Sequence, residues 1–205
     1  MILSIDTYSE VIGISIIKDH KVLIDLSISK PKPFSEIIIK KIYEILEELQ
    51  IDKNSIKKIV VNKGPGSYTG LRVGITVAKT LSYSLNLELY SYISLDVMAY
   101  KYKHFNGNII CGINAGKGEV YSKIYKSKDF ELKQVSDIKL LKFEEFENFV
   151  KDTENSLVIE KNLNLQVKNK ETILESLSVN GAFYALKHNL TENPFSIEPI
   201  YIRES

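Results

Sequence analysis

The residue pattern best placed to do chemistry is a glycine-rich turn, Lys63-Gly64-Pro65-Gly66-Ser67-Tyr68-Thr69-Gly70. Ile56 to Asn62 alternates lysines with β-branched apolar residues. Gly64, Pro65 and Gly66 then break that pattern, and from Thr69 the apolar residues recur at helical spacing, so the stretch reads strand, tight turn, helix. The chemistry of such a junction is anion binding. Ser67 or Thr69 can cap the helix, leaving backbone N–H groups and the positive end of the helix dipole facing whatever sits above the turn. Gly64, Gly66, Ser67, Thr69 and Gly70 are therefore candidate phosphate-binding residues. Asp6 and Thr7, where the first apolar run ends, join them: a carboxylate and a hydroxyl there could meet a phosphate or a hydrated cation, or could satisfy the backbone groups of a turn. A packing reading stands beside the chemical one. The glycines permit a sharp turn, and Gly70 and Gly74, four apart, let the helix lie close on a neighbour. The turn lacks the Gly-Lys-Ser/Thr of a Walker loop and is not a clean GxGxxG.

Other chemistry is sparse. His20, His104 and His188 are far apart, and without HxxxH, HExxH or CxxC spacing no metal site is expected. The single cysteine, Cys111, stands among Ile109, Ile110 and Ile113, which favours a buried thiol over a nucleophile. It also excludes an internal disulfide and points to a reducing compartment. With 27 basic against 26 acidic residues the net charge is +1, so no overall field draws the chain to nucleic acid or an anionic membrane. Any RNA contact must be local or shared with a partner. The opening MILSID has no basic n-region, and no apolar run approaches the ~18 residues that span a bilayer. A cytoplasmic, globular protein is expected, and a hydrophobic content of 44% is enough for a sizeable core.

The elements around the turn follow from periodicity. Ile2 to Asp6, Ile12 to Ile17 and Lys21 to Ser27 read as three consecutive strands. After the prolines of Ser29 to Phe34, Ser35 to Gln50 is helical. At about 100° per residue, Phe34, Ile38, Ile39, Ile42, Tyr43, Ile45, Leu46 and Leu49 cover half its circumference, wider than the usual ~100° stripe. The helix from Thr69 is similar: Gly70, Val73, Gly74, Val77 and Leu81 merge with Leu71, Ile75, Ala78 and Leu85. Two helices with surplus apolar surface imply a protein partner. Ile39, Tyr43, Leu46, Val73, Val77 and Leu81 are the expected contributors. Leu87 to Tyr92 reads as a strand, and Ser94 to Tyr102 as a short helix capped by Ser94 with Asp96 in its first turn. Strands then restart at Ile109 to Asn114, Glu119 to Tyr125 and Phe130 to Ile138, so the second half opens like the first. Phe143 to Val150 reads as a helix, Leu157 to Ile159 as a strand, and Ser178 to Asn189 as a helix.

Four stretches in order carry a resemblance: ILSIDT at 2 to 7, GPGSYTGLRVGI at 64 to 75, AGKGEVY ending in Tyr121, and the closing EPIYIR. With them the chain resembles the bacterial TsaB (YeaZ) family of tRNA threonylcarbamoyladenosine biosynthesis, over almost its whole length and most weakly between Glu131 and Lys170. The resemblance implies an α/β, two-lobed actin-like ATPase (ASKHA) fold, related to sugar kinases and Hsp70, with a reduced second lobe. The expected lobes are 1–104, carrying the partner-binding helices, and 105–205. Members look like non-catalytic partners of the homologous TsaD, which carries metal-binding histidines and transfers the threonylcarbamoyl group to adenosine beside the anticodon. The resemblance thus implies a TsaD-like partner and a TsaE-like ATPase, tRNA met only through the complex, and a homodimer when the chain is alone. ATP or ADP with magnesium would belong to the complex; no cofactor, metal or catalytic residue is assigned to this chain. Two departures stand out. Phe34 replaces a histidine common in the family, and Asn114 to Gly116 replaces an Asp-x-Arg, removing two charges and with them support for nucleotide binding. The alternative function is an autonomous small-molecule phosphotransferase or ATPase. Phosphoryl transfer needs carboxylates to hold magnesium, and Asp6, with Glu119 in the second half, is all this chain offers. The scaffold reading is favoured.

Overall fold

The computed structural model describes residues 1–29 and 34–202. The proline-marked break at 30–33, the Phe34 side chain and the EPIYIR motif from Arg203 onward lie outside the described residues. The chain divides into two compact units: Met1–Ser94 with Glu175–Ile200, and Leu95–Leu174 with the chain end from Tyr201. The division expected at 104/105 is therefore corrected. The second unit is an insertion, and the chain returns to the first.

The first unit is built on strands β1 (Ile2–Asp6), β2 (Val11–Lys18), β3 (Lys21–Ser29), β4 (Lys58–Asn62), β5 (Glu88–Tyr92) and β12 (Thr191–Glu192), in the order β12-β5-β4-β1-β2-β3. β1, β2 and β3 are antiparallel neighbours, while β1, β4 and β5 run parallel. Parallel neighbours need crossovers, and these are helices. α1 (Phe34–Glu48) and α2 (Tyr68–Leu85) supply them, and α5 (Ser178–Lys187) packs on the same sheet. Ile38, Ile42 and Ile45 of α1 and Ile75, Val77 and Ala78 of α2 meet Leu3, Ile5, Ile59 and Val61 in one core. Burial of a branched aliphatic side chain contributes about 1.5 to 3 kcal/mol, so this layer is the unit's main source of stability.

The second unit carries α3 (Ser94–Lys101), β6 (Gly107–Gly116), β7 (Glu119–Lys128), β8 (Glu131–Gln134), β9 (Lys139–Lys142), α4 (Phe143–Asp152), β10 (Ser156–Lys161) and β11 (Lys170–Thr172). Its sheet order is β11-β10-β6-β7-β8. Numbered within each unit, the first sheet runs 3-2-1-4-5-6 and the second 3-2-1-5-6, its fourth strand (β9) pairing with β7 off that path, so both open with the same antiparallel 3-2-1. Of the strand expected over Phe130 to Ile138 only the four-residue β8 forms, and a separate strand, β9, begins just beyond it at Lys139; both are antiparallel to β7, at different parts of it. Between them Val135 and Ser136 both direct their N–H groups at the Ile124 carbonyl, a local doubling that interrupts the ladder.

Ser94 is the first residue of α3 rather than a cap for its N–H groups: its hydroxyl turns to Asn62 Oδ1 at 2.9 Å and the Pro65 carbonyl at 3.0 Å. Asp96 pairs at 2.6 Å with the buried ammonium of Lys123 and accepts the Tyr125 hydroxyl. Cys111 is fully buried, and burial pushes its thiol well up, with the Asp96 charge adding and Lys123 opposing. A buried, protonated thiol does not react. Folded protein at pH 8 is expected to show no modification by a thiol-exchange reagent, with the single thiol appearing only in denaturant. Prompt labelling of folded protein would contradict the burial.

Candidate functional site

Asp6 ends β1 with its carboxylate 0% exposed and fully engaged inside the first unit. Oδ2 accepts the Leu177 N–H at 2.6 Å, and Oδ1 accepts the Asn62 amide at 2.9 Å and the Tyr8 N–H at 3.3 Å. Asn62 ends β4 and passes the connection on, its Oδ1 taking the Gly64 N–H at 2.8 Å. A continuous buried chain of polar contacts thus runs from the segment before α5, through Asp6, to the glycine turn. Of the two sequence options for Asp6, the geometry is that of a carboxylate satisfying backbone and amide donors. Tyr92, nearby in the polar interior, has its phenol pushed well up by burial and then by the Asp6 charge.

The glycines of the turn are spaced for contact with the β1–β2 connection. A Cβ on Gly66 would lie 2.3 Å from the Tyr8 carbonyl oxygen, one on Gly70 2.1 Å from that of Thr7, and one on Gly74 2.2 Å from Thr7 Oγ1. Gly64, at φ +104°, adopts a backbone that only glycine takes readily. Ser67 is the cap of α2, its Oγ accepting the Gly70 N–H at 3.3 Å while its own N–H donates to the Tyr8 carbonyl at 2.7 Å. Thr69 lies within the first turn. The seven candidate phosphate residues are therefore neighbours but do not share one surface. Asp6, Thr7, Gly64 and Gly70 are buried, Gly66 is half-buried, and only Ser67 and Thr69 are open to solvent. Gly70→Ala should cost about 1 to 3 kcal/mol in urea unfolding, because the obstacle is backbone and cannot rotate away. An unchanged midpoint would show that α2 does not depend on this approach.

The six candidate interface residues separate by environment. Ile39 and Tyr43, on the outward side of α1, are 52% and 58% exposed. With half-buried Leu46 and with Leu81 of α2 they line an apolar groove of about 580 Å³, whose walls also include Ile42 and Leu85. Val73 is half-buried against the core outside this groove, and Val77, 7% exposed, belongs to the core itself. On α2 the groove is lined by Leu81 and by Leu85 one turn beyond it, while Val77 and Val73, one and two turns before Leu81, stay outside it. The departure at Asn114 is also resolved: its amide donates to the Asn162 carbonyl at 2.9 Å and its Oδ1 accepts the Gly116 N–H at 2.7 Å, shaping the connection to β7.

The family model of TsaD, tRNA N6-adenosine threonylcarbamoyltransferase, matches residues 29–195, most of this chain, from before α1 to beyond α5. The chain belongs to the TsaD family. Within that family it is similar to TsaB, the tRNA threonylcarbamoyladenosine biosynthesis protein. It is 36% identical to the Bacillus subtilis protein over 134 residues and 31% identical to that of Buchnera aphidicola subsp. Schizaphis graminum over 123, matching 65% and 59% of this chain. In both cases the match spans 58% of the relative's length. The solved structure of YeaZ from Pseudomonas aeruginosa shares the fold at a TM-score of 0.79 and 16% identity, covering 98% of this chain and 99% of that one. The TsaB (YeaZ) resemblance and the two-sheet α/β fold read from the sequence both hold. Among the described residues no helix of this TsaD-family chain is long and apolar enough to cross a membrane.

Proposed function

We propose that this chain is a non-catalytic scaffold or activator subunit of the assembly that makes threonylcarbamoyladenosine in tRNA. It docks through α1 and α2 on a homologous TsaD-like subunit that performs the transfer. The observation that carries the reading is the apolar groove between the two helices, with Ile39 and Tyr43 held out over its rim. Large apolar side chains left exposed on a helix pair mark a contact surface. A homologous chain presenting its own pair of helices would bury that surface in a four-helix arrangement. The same surface would let the chain pair with itself when the partner is absent.

The engagement of Asp6 supports a silent role. Asp6, the strand-end carboxylate considered for magnesium, is occupied by three donors of its own unit. In the proposed assembly, nucleotide, magnesium and a TsaE-like ATPase act with the catalytic partner. tRNA is modified there in the cytoplasm. The test is joint purification of tagged chain with the TsaD homologue from the same cell, followed by threonylcarbamoyladenosine formation with each protein omitted in turn. A fixed ratio, and product only when both are present, is the expected result. Steady magnesium-dependent ATP hydrolysis by this chain alone would overturn it in favour of an autonomous phosphotransferase.

A further inference from the structure

The β7–β8 hairpin of the second unit has a composition that costs it stability on three counts. Lys128 pairs with Glu131 in the ladder, leaving a two-residue tip of Asp129 and Phe130. Both tip residues take the left-handed conformation, at φ 51° and 66°. Such tips favour Asn and Gly, and a bulky side chain there is strained. Phe130 is nonetheless present and 67% exposed. Behind the tip, Lys126 and Lys133 stand directly opposite one another in register, an arrangement of like charges that destabilises a strand pair. Lys126, Lys128 and Lys133 line one surface cleft of about 410 Å³ with Asp129 and Glu131. Among the described residues no ion pair engages any of the three lysines, whereas Lys142 and Lys151 of the same unit are paired with Glu119 and Glu147.

A ligand that repays all three features is a chain of phosphates carrying flat bases. Phosphates relieve the opposed lysines, and an exposed aromatic ring is the platform on which an unpaired base stacks. We propose that the β7–β8 hairpin is a contact for a single-stranded segment of RNA, with Lys126, Lys128 and Lys133 on the backbone and Phe130 under a base. Only the choice of RNA rests on the function proposed above; the surface itself does not involve α1 or α2. Asp129 and Glu131 leave the cleft a net charge of +1, so binding is weak, with a Kd on the order of 10 µM at low salt, and falls steeply as salt rises.

Fluorescence anisotropy of the full chain with a mixed-sequence 12-nucleotide RNA, titrated between about 20 and 200 mM salt, reads this out. The triple variant K126Q/K128Q/K133Q is expected to lose at least about tenfold in affinity and to flatten the salt dependence by about two log units per log unit, at about 0.7 per phosphate contact. F130A should lose about fivefold with the salt slope unchanged, the mark of stacking rather than charge. D129N, which suits the left-handed tip, should bind about two- to threefold tighter. Unchanged affinity and slope in the triple variant would overturn the proposal, as would binding of the wild-type chain to anionic vesicles but not to the RNA. Co-elution of the triple variant with the TsaD homologue separates the two readings: lost RNA binding with intact pairing is expected here, while failure of pairing in the wild type bears only on the scaffold role.

Discussion

Replacing Ile39 and Tyr43 together by glutamate is expected to weaken association with the TsaD-like partner by a hundredfold or more, while circular dichroism and the thermal midpoint of the free chain stay native. Both side chains are more than half exposed in the free chain, so the change removes no core contact. In a complex each would bury an apolar group worth about 1.5 to 3 kcal/mol. The loss of about 2.7 kcal/mol that a hundredfold change represents is therefore within the reach of two side chains. The substituted carboxylates add a desolvation cost on top. A Val77→Glu change could not serve the same purpose, since Val77 is core and its variant would unfold. Analytical ultracentrifugation of the mixed proteins decides the matter, and undiminished affinity of the double variant would move the interface off the α1–α2 groove. The same variant should be monomeric if the wild-type chain self-associates.

Asp6→Ala should reduce the unfolding free energy by about 3 to 6 kcal/mol. It strands the Leu177 N–H and the Asn62 amide in a water-free interior, and each bond to a buried carboxylate contributes about 1.5 to 3 kcal/mol. The Tyr8 N–H, at 3.3 Å, adds less. The loss should come with a loosened α5, seen as faster amide exchange at Leu177 and along the helix. Urea unfolding provides the number. A loss below about 1 kcal/mol would mean that the carboxylate is not the structural hub its contacts describe.

Much of this was legible where periodicity is strong. The first three strands, α1 and α2 fall within a few residues of their expected bounds, because each has a dominant apolar repeat and a clear terminator. Asn86 in the left-handed conformation closing α2 is a typical example. Short elements with no repeat to display were invisible: β11 has three residues and β12 two. β11 is held by Thr172 Oγ1 donating to the buried Glu160 at 2.7 Å, a contact that no spacing announces. The larger miss was the return of residues 175–200 to the first unit. Its signal was present but unread in two glycines. Gly13 interrupts a buried strand because a Cβ there would meet Ser176 at 2.3 Å, and Gly181 interrupts α5 because a Cβ there would lie 2.2 Å from the Tyr92 ring. A glycine inside a strand marks close approach of another segment, but sequence alone does not say which. At the site, the glycine turn is legible, whereas of the α2 residues expected at a partner surface only Leu81 lines the groove and Val77 is core. A helix whose apolar arc covers half its circumference does not reveal which half its own sheet takes.

The insertion of one unit within the other fixes an order of events on the ribosome. Leu95–Leu174, all of the second unit except the chain end from Tyr201, is contiguous and emerges in one stretch. The first unit is begun earlier, yet Asp6 has no Leu177 to bind, nor Ser4 a Ser178 carbonyl, until about eighty further residues are made. At about 5 to 20 residues per second that is a delay of roughly 4 to 16 s, during which strands β1 to β5 stand without their second covering layer. The sheet begun first thus waits until nearly all of the other unit has been made. A stalled or truncated chain ending before α5 would present an unfinished sheet to the quality-control machinery instead of a separable domain.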